Sequence, residues 1–503
     1  MLEISASQLK YFRMKKGIVI LLLLVGSTPM YAQTTNTYQD AYEAFRKKTQ
    51  GDYEEFRRQC NEKYATFMER AWQLFQGRVP IPIPKEEHPI TPVRFDDSKE
   101  DEKNRALLVS KVIPPVLPVI EQPSPICPIK EQPQPSEKRF SFVLYGTPMS
   151  VRLDNTHKFK MTDATEKSVA EAWRFCSSKN FDNVIRDCLA LRLQHHLGDW
   201  AYLRMLQELG NNFMGKSTNE ASLLTAYLYC QSGYKMRLAK SQSGKIYLLI
   251  ASNHMIYERR YFVIDDETFY PLDCDETGLS ICNVSFPKEQ PLSLWMTHDI
   301  GLSKNKTQPR LLKSERYPEI QLSITSNKNI IDFFNDYPSS QIGDDYMTKW
   351  AIYANTPLLQ ETADELYPSL KKAIIDQKQE EAANKLLNFV QTAFEYEYDE
   401  TVWGADRTFF AEETIYYPYC DCEDRSVLFS RLIRDLMDLD VVLVYYPGHL
   451  ATAVGFTDEV KGDYLMVNGR KFVVCDPTFI NAPIGRTMPG MDNQQATVVL
   501  LKR

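Results

Sequence analysis

The stretch Asp421-Cys422-Glu423-Asp424-Arg425-Ser426-Val427-Leu428-Phe429, with Pro447-Gly448-His449 and Val474-Cys475-Asp476-Pro477-Thr478 downstream, decides how this chain is read. Ser426, Leu428, Phe429, Leu432, Ile433 and Leu436 recur at helical spacing, so a buried helix begins near residue 421. Asp421 is a natural N-cap, which puts Cys422 at the first helical position. Asp424, at the third, can reach back to the free N–H groups. Strand patterns follow at residues 441–446, 450–456, 463–467 and 471–474. His449 then stands at a strand entrance behind Gly448, and Asp476 ends a strand just before Pro477. Helices followed by strands make this an α+β domain.

These three side chains are chemically complementary. A helix N-terminus lowers thiol pKa through its unpaired N–H groups and partial positive charge. Glu423 and Asp424 oppose that effect, so Cys422 needs a cationic partner, and His449 is the candidate. Twenty-seven positions separate Cys422 from His449 and His449 from Asp476 (449 − 422 and 476 − 449). A neighbouring strand pair can bring Asp476 to the second ring nitrogen, fixing the tautomer as the third member of a triad does. A single cysteine at a helix start, or a single histidine beside a strand, is usually structural; the ordered combination carries the argument. Cys420 is the competing nucleophile, and Cys475 is expected in the core.

Cys422-x-Asp424-x-Ser426, then helix, strand, His449, strand and Asp476-Pro477-Thr478, resembles the transglutaminase-like superfamily. Trp403-Gly404-Ala405-Asp406 and Glu412-Glu413-Thr414 are similar to its bacterial branch, and the resemblance covers residues 380–485. It implies a variant of the papain-like cysteine protease fold with Cys422, His449 and Asp476 as catalytic residues. It also implies an oxyanion or substrate role for Trp403 beside the Cys422 N–H, and no metal or organic cofactor. The implied substrate is a peptide, a protein or a peptidoglycan stem peptide, hydrolysed rather than cross-linked. Two departures touch the substrate groove: Tyr419-Cys420 stands where relatives commonly carry glycine, and Leu450-Ala451 where an aromatic follows the histidine. The rival expectation is a non-catalytic scaffold binding peptide or cell-wall material.

The 503 residues suggest two or three domains. A net charge of −7 without a basic run argues against nucleic acid as a partner. Residues 1–32 read as a signal-peptide region, with Met14 as the start of its basic and apolar segments and cleavage after Ala32. The chain is therefore expected to be exported, periplasmic or extracellular, with no integral membrane segment after cleavage. Residues 33–77 look helical, with Gly51 as a potential break, and residues 78–138 read as a proline-rich extended linker. Residues 139–285 form an α+β domain, 286–343 a connecting segment, and 344–503 the catalytic domain. Laying Ala221-Ser222-Leu223-Leu224 over Ser426-Val427-Leu428-Phe429 makes the earlier domain a degenerate copy, with Ser217 facing Cys422 and Gly244 facing His449.

Overall fold

A computed structural model describes residues 34–85, 90–98, 104–115, 117, 122–133, 138–491 and 494–502. The expected signal region lies outside them. The chain divides into two units, residues 1–56 and 57–503. In the first, the described residues are helical and belong to α1 (Thr34–Met68), which runs through Gly51 without a break. Everything below concerns the second.

After α1 the chain turns, with the Arg70 and Ala71 N–H groups both donating to the Phe67 carbonyl. Residues 72–76, expected to continue the helix, form strand β1 (Trp72–Gln76) instead. Trp72 and Phe75, three residues apart, keep the helical rhythm, but β1 is paired along its length with a later strand, and that distant pairing overrides the local pattern. Strand β2 (Val109–Ile113) and the hairpin β3 (Phe140–Leu144) and β4 (Thr147–Val151) come next. Four helices follow: α2 (Glu166–Cys176), α3 (Asp182–Gln194), α4 (Asp199–Met214) and α5 (Asn219–Gln231). Residues 221–231 of α5 are all buried apart from Ser222, as expected of a central helix. Strands β5 (Met236–Lys240), β6 (Ile246–Ala251), β7 (His254–Ile256), β8 (Phe262–Ile264), β9 (Glu267–Pro271) and β10 (Gly278–Cys282) complete this half.

The expected connecting segment contains β11 (Arg310–Lys313), β12 (Gln321–Ile324), α6 (Lys328–Asn335) and β13 (Ser340–Ile342). Then come α7 (Thr348–Asn355), α8 (Gln360–Ile374), α9 (Gln379–Thr392), β14 (Glu395–Tyr396), α10 (Asp399–Val402), α11 (Ala411–Tyr416) and β15 (Tyr419–Cys420). The chain ends with α12 (Cys422–Met437), β16 (Asp440–Tyr446), β17 (His449–Gly455), β18 (Tyr464–Val467), β19 (Arg470–Cys475) and β20 (Ala496–Leu500). Mixed helix and sheet make the architecture α+β. No helix among the described residues is long and apolar enough to cross a membrane.

Two six-stranded sheets organise the unit. The first has the order β1-β10-β5-β6-β9-β8, and the second, read from its β2 edge, β2-β20-β16-β17-β19-β18. Position by position the orders correspond, with a helix (α5 or α12) feeding the central hairpin in each. One difference lies at the edge: β1 runs antiparallel to β10, whereas β2 runs parallel to β20.

The described residues of the proline-rich stretch dock on the fold rather than standing off it as a spacer. Arg78 bridges to Tyr261, Phe95 and Val93 exchange backbone hydrogen bonds with Ile480, and β2 completes the second sheet. Proline lacks a donor and favours sheet edges, so a proline-rich segment can line a fold while its intervening residues make the bonds.

Candidate active site

Local bonds fix the start of α12. The Asp421 N–H donates to Asp424 Oδ2 at 3.2 Å, and the Phe409 N–H to Asp424 Oδ1 at 2.7 Å. Asp424 is thus spent on capping and on holding the preceding loop. Buried Arg425 donates to the Phe394 carbonyl at 2.8 Å and to Cys420 Sγ at 3.4 Å, which ties the competing thiol into the core. Ser426 Oγ donates to the Leu450 carbonyl at 2.8 Å, docking the helix against the β17 entrance. Cys475 is fully buried, as expected.

The β17–β19 ladder pairs Thr452 with Cys475 and so brings His449 and Asp476 together. His449 Nε2 lies 2.9 Å from Asp476 Oδ2, with the two side chains only 1% and 3% exposed. Asp476 Oδ1 accepts the Thr478 N–H at 2.9 Å and the Phe479 N–H at 3.3 Å, which orients the carboxylate. Gln391 Nε2 donates to the Asp476 carbonyl at 3.0 Å. His449 Nδ1 is buried and unpartnered, so it is the ring nitrogen left for chemistry.

Cys422 Sγ accepts the Leu450 N–H and donates to Glu423 Oε2 at 3.5 Å. Burial pushes the thiol pKa well up, and the Asp421 and Glu423 charges push it further; the Leu450 N–H works the other way. Burial and the neighbouring carboxyl charges thus favour the protonated form of the thiol, against the pull of the helix end.

Sequence reasoning missed several neighbours. Asp399, Asp406 and Glu423 bring carboxylate oxygens within 4.8 Å of one another, and Asp421, Cys422 and Glu423 form a second such group. These are the residues that could hold a cation. Lys349, itself buried, lies with Nζ 2.7 Å from Asp406. Burial opposes its charge, but Asp406 and Glu423 outweigh that and hold its pKa above the usual value. Burial also raises the carboxyl pKa values of Asp399, Asp421 and Glu423, and mutual repulsion adds to it. Tyr396 is the other missed residue. Its pKa is raised by burial first and then by the Cys422 charge, so its hydroxyl lies within electrostatic reach of the thiol. No periodic or spacing signal points to any of these, although Asp406 belongs to the quoted Trp403-Gly404-Ala405-Asp406 string.

Trp403 stands in an aromatic cluster, its ring 4.7 Å from Tyr417 and 5.7 Å from Phe409, with the Arg407 guanidinium 4.9 Å above it. It lines a cleft of about 660 Å³ together with Asp406 and Thr408. The contacts that gather Cys422, His449 and Asp476 do not include it.

The first sheet carries a counterpart of this site. Asn219 opens α5 as Cys422 opens α12, and its Oδ1 accepts the Ile246 N–H at 2.9 Å, as Sγ accepts that of Leu450. Three residues further on, Leu249 pairs with Pro271 as Ala453 pairs with Val474. Lys245 therefore matches His449, and Asp273, two residues past Pro271, matches Asp476. The gapless overlay had placed Ser217 and Gly244 there; the hydrogen bonds move the match to Asn219 and Lys245. No protein-family model, curated protein or solved structure matches this chain.

Proposed function

We propose that this chain is an exported, cysteine-dependent acyl-transfer enzyme acting on peptide-type amide bonds, with hydrolysis favoured over cross-linking. The observation that carries the reading is the buried His449–Asp476 pair, with Nδ1 unpartnered, one residue before Leu450, whose N–H meets the thiol of the cysteine that opens α12. Asp476 occupies Nε2, so Nδ1 is the atom that accepts the thiol proton. Sulfur then bonds to the amide carbon, and the carbonyl π electrons move to oxygen. The Cys422 N–H, one of the unpaired first-turn donors, would stabilise that oxyanion. Tyr396, which feels the Cys422 charge, is preferred to Trp403 as a side-chain donor. Collapse breaks the C–N bond, and the imidazolium returns its proton to the leaving amine. Water, deprotonated at Nδ1, cleaves the thioester and restores the thiol. Export rests on the basic-then-apolar run from Met14 to Ala32.

A binding scaffold is the second reading. The high thiol pKa and the Asn219–Lys245–Asp273 counterpart, which has no nucleophile, favour it. Incubating the mature chain with a peptide library, including peptidoglycan stem peptides, separates the two. The enzyme reading expects new amines that disappear in Cys422→Ala and His449→Ala. Binding without turnover, unaffected by His449→Ala, would establish the scaffold.

A further inference from the structure

Resting on the reading of Cys422 and His449 as a catalytic pair, we propose that residues 90–95 are a built-in pseudosubstrate strap that keeps the site closed. The Ile90 N–H donates to the Gly448 carbonyl at 3.1 Å, one residue before His449. The Ile90 carbonyl accepts the Tyr396 hydroxyl at 3.4 Å. Thr91 Oγ1 and the Tyr398 hydroxyl are 2.9 Å apart. Farther along, the Ile480 N–H donates to the Val93 carbonyl and the Phe95 N–H to the Ile480 carbonyl. The Phe95 ring packs edge-on against Phe479 at 5.5 Å, and Arg94 grips both carboxylate oxygens of Glu315, at 2.9 and 3.2 Å.

The strap thus runs from the turn that delivers His449 to the turn that follows Asp476. An extended peptide is read mainly through its own N–H and C=O groups. A bound substrate would use the same pair, with its N–H on Gly448 and its carbonyl turned to the Tyr396 hydroxyl. Pro92 fixes its own φ and biases Thr91 towards extended backbone, which lowers the entropy cost of holding the strap there. His449 is 1% exposed and its free nitrogen is buried, while Cys422 is half-buried, so the strap leaves the thiol a partial access that its removal would widen. The same contacts indicate the substrate class: an extended peptide segment lying across the Gly448 and Tyr396 groups.

The test is the rate at which iodoacetamide alkylates Cys422 in the mature full-length chain, read by peptide mass spectrometry. Ile90→Pro deletes the N–H given to Gly448 while keeping extended backbone, and loss of one such bond predicts about fivefold faster alkylation. Phe95→Ala removes the anchoring ring at the far end and predicts a rise of about tenfold. Circular dichroism checks that each variant folds. Adding a synthetic peptide of residues 88–97 to either variant should slow alkylation again, and the same peptide carrying Ile90→Pro should do so less. Alkylation as fast in the unaltered chain as in both folded variants would overturn the strap. Peptide turnover is scored separately: faster alkylation without turnover keeps the strap and removes the catalytic reading, while turnover with unchanged alkylation does the reverse.

Discussion

Asp476→Asn isolates the role of the buried carboxylate. Its Oδ1 holds the Thr478 and Phe479 N–H groups, so an asparagine keeps its carbonyl oxygen there and turns its NH₂ toward His449. His449 Nε2 must then accept a hydrogen bond, and the ring proton moves to Nδ1. Nδ1 is the nitrogen that has to take the proton of the thiol, and once protonated it cannot. Turnover should fall about 10³–10⁴-fold, the scale on which a wrong tautomer costs a triad. The turn survives, so stability should drop by only about 1 kcal/mol, the net value of one hydrogen bond. Asp476→Ala should cost more, because it also strips the acceptor from Thr478 and Phe479. Steady-state peptide hydrolysis and thermal melting read the two effects. An asparagine variant within threefold of the parent rate, while His449→Ala is inactive, would refute the tautomer argument.

Glu412 accepts the Leu359 N–H at 2.8 Å and the Thr362 hydroxyl at 2.6 Å with no cation in contact, and burial lifts its pKa from 4.5 to about 7. The folded state therefore keeps a proton that the unfolded chain has lost, and stability falls as pH rises from about 4.5 to about 7, by about 3 kcal/mol. Glu412→Gln should flatten that slope and raise Tm at pH 8 far more than at pH 5 (~0–1 kcal/mol there); an unchanged slope would contradict it. Lys349→Met leaves Asp406 beside Asp399 and Glu423 without its buried cation, at a cost of about 3–5 kcal/mol in urea unfolding. A loss under about 1 kcal/mol would show that these carboxyls already share protons rather than charge. Glu423→Gln removes the carboxylate charge 3.5 Å from Sγ while keeping an amide oxygen, and Coulomb energies of about 1–5 kcal/mol between water-like and protein-like screening predict a thiol pKa lower by about one to three units. The pH profile of Cys422 alkylation measures it, and a profile that moves upward would oppose the reasoning.

The elements that build the site were legible because each carries a local signature. Asp421 and Asp424 mark the helix start, the apolar repeat from Ser426 marks its buried face, and Gly448 and Pro477 punctuate the strands. In the structure α12 begins at Cys422, β17 at His449, and β19 ends just before Asp476. What escaped depends on distant pairing. β2 lies inside a proline-rich stretch and pairs in parallel with β20, almost the whole chain away, so nothing local announces either strand. β1 was hidden because its aromatic spacing continued the rhythm of α1. Tyr396, Lys349 and Asp399 sit on short elements and Asp406 on the loop between α10 and α11, and they meet the thiol region only through tertiary packing. The proline content of residues 78–138 favours extended backbone, but composition cannot say what extended backbone docks against.

The central claim is that Cys422 forms an acyl bond through His449. Intact-protein mass spectrometry after rapid acid quenching of the mature Ile90→Pro chain, mixed with an activated peptide acyl donor, tests it most directly. The account predicts an added acyl mass on Cys422 that hydroxylamine removes and that His449→Ala does not form. A chain whose Cys422 is alkylated readily by iodoacetamide, yet never carries the acyl group, would contradict it.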